Sequence, residues 1–267
     1  MAEQPALHRG NVAVVIPALN EALRIADVVA GALAQSDLVI VVDDGSDDDT
    51  ARIVAATGAV LLRHPQRMGK GRALRDGFAE ALRRGMAAVV TMDGDGQHDA
   101  RDIPRLMAAA NAHPRNIVNG ARLRKRSTQP WYRRIGNDFG DWGIAWGCGF
   151  RLLDSQSGQR LYPAPVLALQ GVPGEGFVFE AQILISAARE LGFGVVSVPV
   201  ETRYAEAGNP VQFRASHFRL FRDLSYITTH VLGQVFGHGR LLQAWRRKRS
   251  RAPVIFDPDA ADDSRHT

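Results

Sequence analysis

Cysteine occurs once in the 267 residues, at Cys148, so no disulfide can form within the chain and a reducing compartment suits it. No stretch supplies the roughly 20 apolar residues that a membrane-spanning helix needs, and residues 1–11 lack the charged start and apolar core of a secretory leader. These absences favour a cytoplasmic chain whose membrane contact, if any, is made from the surface. A glycine-rich turn after the first predicted strand is missing as well, because the residues there are Pro17-Ala18-Leu19-Asn20. That excludes a nicotinamide dehydrogenase and weighs against a sugar-phosphate nucleotidyltransferase. There is no internal repeat. With 45% hydrophobic and 23% charged residues, the low-hydrophobicity signature of disorder is absent too.

A net charge of +5 calls for an anionic partner. Arg122, Arg124, Lys125, Arg126, Arg133 and Arg134 fall in one acid-free stretch, and Arg240, Arg246, Arg247, Lys248, Arg249 and Arg251 in another. Each cluster reads either as solvated surface or as a site for an anionic surface. No nucleic-acid recognition motif accompanies them, and aspartates occupy the predicted ligand edge, so nucleic acid is not the expected partner. Trp131, Tyr132, Trp142 and Trp146 lie beside Arg133 and Arg134, a mixture that suits either a lipid headgroup layer or core packing. Together with the basic segment Arg240 to Arg251, it favours a peripheral membrane contact.

Continuous apolar runs at Val12–Ile16, Leu38–Val42, Val60–Leu62 and Ala88–Met92 alternate with helix-length segments starting near Asn20, at Asp48–Ala56 and at Gly71–Arg84. Asn20 is the expected N-cap of the first. Such alternation predicts an α/β domain with a mostly parallel sheet flanked by helices, and it places ligands beyond the carboxyl ends of the strands. A strand at Asn116–Asn119, a helix at Phe179–Leu191 and a strand at Val195–Val200 continue the pattern, and Ser216–Trp245 reads as a terminal helical region. The expected organisation is an extension over 1–10, the main domain over 11–212, a basic helical extension over 213–250 and a polar, disordered tail over 251–267.

Four motifs sit at the predicted ligand edge. Asp93-Gly94-Asp95-Gly96-Gln97-His98 follows a strand directly; two carboxylates two residues apart can meet one small cation while leaving positions for phosphate oxygens. Asp43-Asp44-Gly45-Ser46 offers carboxylates to a base edge or ribose, or else caps the next helix. Pro17-Ala18-Leu19-Asn20-Glu21 brings Glu21 toward the same ribose, and Met68-Gly69-Lys70-Gly71 presents a cation on a flexible loop.

In this order the four motifs resemble the family 2 glycosyltransferases, the inverting GT-A group that includes dolichyl-phosphate mannosyltransferase and bacterial polyprenyl-phosphate sugar transferases. The resemblance runs from about Asn11 to Val200, through Gly120-Ala121-Arg122, Asp154-Ser155-Gln156-Ser157-Gly158-Gln159-Arg160, Phe179-Glu180 and Ser197-Val198-Pro199-Val200. It implies a GT-A fold and transfer of a hexose from a GDP- or UDP-linked sugar, with a lipid phosphate or lipid-linked molecule as acceptor and Mg2+ or Mn2+ as cofactor. Glu21 and Asp44 or Asp43 would hold the nucleoside, with Pro17, Asn20 and Lys70 beside them. Asp93, Gly94 and Asp95 would bracket ribose, diphosphate and metal, Gln97 would complete the metal shell, and Arg122 and Arg160 would face acceptor or diphosphate charge. A lipid phosphate needs no protein base; a hydroxyl acceptor would need one, for which Asp154 stands ahead of Glu180. Two departures concern the acceptor side: the family's Ser-Gly-Phe-Arg reads Ser157-Gly158-Gln159-Arg160, and Arg203 to Pro210 replaces an arginine-glycine-serine pattern. The alternatives are transfer to a hydroxyl of a soluble or cell-envelope acceptor, and a catalytically silent nucleotide-sugar-binding or scaffold protein.

Overall fold

The computed structural model describes residues 5–123, 141–169, 171–172, 177–201 and 252–260. In chain order these form β1 (Val12–Ala18), α1 (Ile25–Gln35), β2 (Leu38–Asp43), α2 (Thr50–Ala55), β3 (Val60–Arg63), α3 (Lys70–Arg83), β4 (Ala88–Thr91), α4 (Ile103–Ala112) and β5 (Asn116–Ala121). Helical residues 141–148 (α5) follow. The remainder is β6 (Arg160–Pro163), α6 (Ala164–Leu167), α7 (Phe177–Ser186) ending in a π turn at Ala187–Leu191, β7 (Gly194–Pro199) and β8 (Val254–Ile255).

The strands make one sheet in the order β3-β2-β1-β4-β6-β5-β7-β8, parallel except for β6, which runs antiparallel to both β4 and β5. The mostly parallel α/β class expected from the alternation is therefore what folds. Because side chains alternate along a strand, β1 feeds two cores: Ala13 and Val15 join one, and Val12, Val14, Ile16 and Ala18 the other. On the first face lie Leu74 and Phe78 of α3 with Phe179 and Ile183 of α7; on the second lie Ile25 and Val29 of α1 with Leu106 of α4. Each such large apolar side chain stabilises the fold by about 1.5–3 kcal/mol on burial. α3 lies so close to the sheet that a Cβ at Gly77 would stand 2.4 Å from Val15 Cγ1.

Three expectations are corrected. β1 does not stop before Pro17; it continues to Ala18, with Pro17 in register with Val42. The register of β4 with β1 ends at Val15, so on that side no ladder needs the missing N–H of Pro17. α1 starts at Ile25, not near Asn20, and Asn20 is not its cap, since Arg24 precedes the helix without a side-chain cap. Within 251–267, residues Val254–Ile255 are held as a strand in parallel register with β7, and Arg105 pairs with Asp257 and Asp259, which accounts for order in so polar a stretch. The helical reading of Ser216–Trp245 and the basic segment Arg240 to Arg251 lie outside the described residues, as do Arg124 to Arg126 and Trp131 to Arg134.

Candidate active site

The loops after β1, β2, β4 and β5 meet at the carboxyl edge of the sheet. β6 runs the other way, so it is the loop before it, 154–159, that joins them. The first two loops are stitched together: Asn20, at φ 58°, donates its N–H to Ser46 Oγ (2.9 Å), and its side-chain oxygen accepts from Asp47 N (3.0 Å). Asparagine tolerates this left-handed backbone better than most residues. Glu21 N donates to Thr50 Oγ1 at 2.8 Å, and a Cβ on Gly94 would lie 3.4 Å from both Glu21 Cγ and the Pro17 carbonyl. The β1 loop thus closes against Gly94.

Asp43 and Asp44 are both buried, and both engage the protein. Asp43 accepts from Ser46 N at 3.1 Å, and Arg63 Nε lies 3.2 Å from its other oxygen. Asp44 accepts from Met68 N and Gly69 N, each at 2.8 Å, and from the His64 ring at 2.8 Å. His64 also contacts Asp76 at 3.0 Å. Asp44 therefore fixes the loop that delivers Lys70 to the start of α3, a role that its position in the sequence does not announce.

Lys70 reaches across to the β4 loop. Its Nζ lies 2.7 Å from Asp93 Oδ1 and 3.2 Å from Glu180 Oε1, while His98 Nε2 stands 3.5 Å from Asp93 Oδ2. Burial alone would lower the Lys70 pKa, but the charges of Asp93 and Glu180 outweigh it and hold it above the ordinary lysine value. Burial would likewise raise Asp93, yet Lys70 and His98 hold its carboxyl well below the usual range. Asp95 behaves differently: burial and the neighbouring charge of Asp93 push its pKa up, against the hydrogen bond it accepts from Gln97 N at 3.0 Å and the weaker pull of His98 and Lys70. Among the described residues no group of three or more His, Cys, Asp or Glu encloses a metal position. Two carboxylates alone leave most of a cation's oxygen shell to a diphosphate.

On the side expected to face the acceptor, Arg122 and Asp154 form a two-pronged pair, with Nε to Oδ2 at 2.7 Å and Nη2 to Oδ1 at 2.5 Å, and Arg122 N adds a third bond at 2.8 Å. Burial would raise Asp154, but Arg122 holds it below the ordinary aspartate value. Asp154 has φ 49°; its N–H and that of Ser155 are held by Asp141 at 3.0 and 2.7 Å. Arg160, expected to face acceptor or diphosphate charge, spends its guanidinium on groups inside the protein. It is fully buried in β6 and donates to Asn119 Oδ1 (3.2 Å), Tyr162 Oη (3.2 Å), the Glu180 carbonyl (2.8 Å) and the Ser155 carbonyl. An arginine taken out of water must use its fork on whatever acceptors surround it. Glu180, expected at the acceptor, lies against Lys70. Asp141, His64 and the contact of His98 with Asp93 escaped the sequence reading; only His98 carried a signal, its place in the acidic motif. Of the tryptophans, Trp142 is 45% exposed and Trp146 packs on the core, their rings 5.4 Å apart.

The family model described as "Glycosyl transferase family 2" matches residues 13–165. The chain is similar to the polyprenol monophosphomannose synthase of Mycolicibacterium smegmatis, 31% identical over 185 residues that cover 64% of this chain and 68% of that protein. It is also similar to the undecaprenyl-phosphate mannosyltransferase of Micrococcus luteus, 31% identical over 188 residues, 66% of this chain and 76% of the relative. Among solved structures, glucosyl-3-phosphoglycerate synthase from Mycobacterium tuberculosis, in complex with Mn2+, uridine diphosphate and phosphoglyceric acid, shares the fold. Its TM-score is 0.60 at 23% identity, covering 85% of this chain and 78% of that one.

Proposed function

The chain belongs to glycosyl transferase family 2 and is a glycosyltransferase of the GT-A fold, and from that premise we propose that it moves a hexose, with inversion, from a GDP- or UDP-linked sugar to a lipid phosphate. A Mg2+ or Mn2+ ion at Asp93, Asp95 and Gln97 is part of this proposal. The observation that carries it is the placement of Asp93 and Asp95 past the end of β4, where the charge of one disfavours the ionised form of the other. A divalent cation between them relieves that repulsion, and oxygen donors suit a hard ion, so the residues fit the group. When bound, the ion neutralises charge on the departing diphosphate.

The chain's own residues divide the remaining work. Pro17, Asn20 and Glu21, closed against Gly94, form the nucleoside side with Asp43 and Asp44 behind them. Lys70 supplies a cation for the diphosphate. Arg122, oriented by Asp154, offers its guanidinium to an anionic acceptor. Asp154 held ionised on an arginine is a poor proton acceptor, which agrees with an acceptor that is already anionic near neutral pH. The polyprenol and undecaprenyl-phosphate relatives support a lipid phosphate, and the fold relative's complex with Mn2+ and uridine diphosphate supports a metal-dependent donor. No helix among the described residues is long and apolar enough to cross a membrane; exposed Trp142 and the basic stretches support contact with the cytoplasmic face of one.

The test is isothermal titration with UDP, GDP and their sugars, with and without Mn2+, comparing wild type with Asp95→Ala. Metal-dependent binding of one nucleotide, lost in the variant, is the expected result and names the donor base. Metal-independent binding of equal strength in both proteins would refute the metal role. Binding to anionic vesicles at low salt tests the membrane contact, and its absence would count against a lipid acceptor.

A further inference from the structure

Lys70, Asp93 and Glu180 come from three elements far apart in the sequence, the start of α3, the β4 loop and the first turns of α7, yet one ammonium spans both carboxylates at 2.7 and 3.2 Å. The other oxygen of Asp93 is also taken up. His98 Nε2 stands 3.5 Å from it, and the Gly158 backbone presses so near that a Cβ there would lie 2.4 Å from Oδ2. A cation that is to bind Asp93 at Oδ1 must therefore take the place that Lys70 fills.

Resting on the metal-dependent donor site proposed above, we propose that Lys70 is a stand-in cation, which holds Asp93 and Glu180 until metal and nucleotide arrive together and which then passes to the diphosphate. The physical argument is one of charge. A divalent ion entering alone would set a dication beside the displaced ammonium while bringing no anion to offset it. When the diphosphate enters with the metal, the ammonium gains an anion as it loses Asp93, and the exchange becomes favourable. The lysine side chain has four single bonds along which its charge can swing while α3 stays in place. None of the described residues comes within 4 Å of a Cβ placed on Gly69, at the start of α3. The arrangement makes metal affinity depend on the nucleotide, and Glu180 becomes the resting anchor of the lysine.

The test uses Mn2+ alone as probe, with the free ion measured by its electron paramagnetic resonance, on the full chain as wild type, Lys70→Met, Lys70→Gln and Lys70→Arg. Far-UV circular dichroism checks folding, and Lys70→Gln stands in if Lys70→Met does not fold. Without nucleotide, the neutral variants are expected to bind Mn2+ at least about tenfold more tightly than wild type, and Lys70→Arg as weakly as wild type. With UDP or GDP added, wild type should gain metal affinity strongly and the neutral variants little. Neutral variants that bind Mn2+ alone no better than wild type would overturn the proposal. Wild type that gains no metal affinity from either nucleotide would instead refute the donor-site reading, a failure distinguishable because the metal-alone comparison is read separately.

Discussion

Replacing Gly158 by alanine tests how closely the loop before β6 fits the acidic loop after β4. The new Cβ would stand 2.4 Å from Asp93 Oδ2 and 2.9 Å from its Cγ, where ordinary contact begins at 3.4 Å. Asp93 must therefore retreat by 3.4 − 2.4, about 1 Å. The carboxylate ends a short side chain that is 30% exposed, so the fold accommodates the change at a cost of about 1–2 kcal/mol. The proposed donor site does not, because Asp93 is also pinned by Lys70 at 2.7 Å, and a misplacement of about 1 Å in a group that positions the donor is expected to cost about 100-fold. Titration with the donor nucleotide and Mn2+, turnover and a thermal melt together separate the two effects. Gly143→Ala is the control, since none of the described residues lies within 4 Å of a Cβ there. A folded Gly158→Ala protein whose nucleotide affinity and turnover stay within about threefold of wild type would refute the reasoning.

Arg160→Met strips donors from the carbonyls of Ser155 and Glu180 and from Asn119 Oδ1, and is expected to cost about 3 kcal/mol or more in urea unfolding. A loss under about 1 kcal/mol would contradict the structural role given to it here. Because Arg122 depresses the Asp154 pKa, the stability that Asp154 contributes is present above the ordinary aspartate value of about 3.9 and disappears as the pH falls through its lower folded value. Asp154→Asn should thus be less stable than wild type by about 1–3 kcal/mol at neutral pH, with the gap closing in acid; a gap independent of pH would exclude the ion pair as its source. Burial pushes the Cys148 thiol up to about 12, so native protein at about pH 8 should resist a thiol reagent and react once per chain in denaturant.

The first half of the fold was largely legible because its strands are buried on both faces and read as unbroken apolar runs rich in β-branched residues, Val12 to Ile16 and Leu38 to Val42 above all. What escaped was set by partners distant in the chain. Asn20 looked like a cap, but its side chain answers Asp47 N, 27 residues on. β6 carries Arg160 and Pro163 in four residues and resembles no strand; its arginine is satisfied by Asn119, 41 residues before it, among others. α4 opens with a proline near its start and is rich in alanine, so its apolar face is faint. The acidic motif after β4 was visible as a metal and diphosphate candidate, whereas the pairing of Lys70 with Glu180 required the topology.

The reversed strand also bears on how the chain is made. β4 is wholly buried and gains its second neighbour only from β6, which is in register with it from Ala88↔Pro163 to Thr91↔Arg160. On the ribosome that neighbour emerges about 70 residues after β4, a delay of roughly 3 to 14 s at ordinary synthesis rates. For that interval an apolar strand edge stands open to mispairing. Substitutions in β6 should therefore reduce the yield of soluble protein before they alter what the finished enzyme does, and assistance from chaperones would matter most in the seconds before Arg160 to Pro163 arrives.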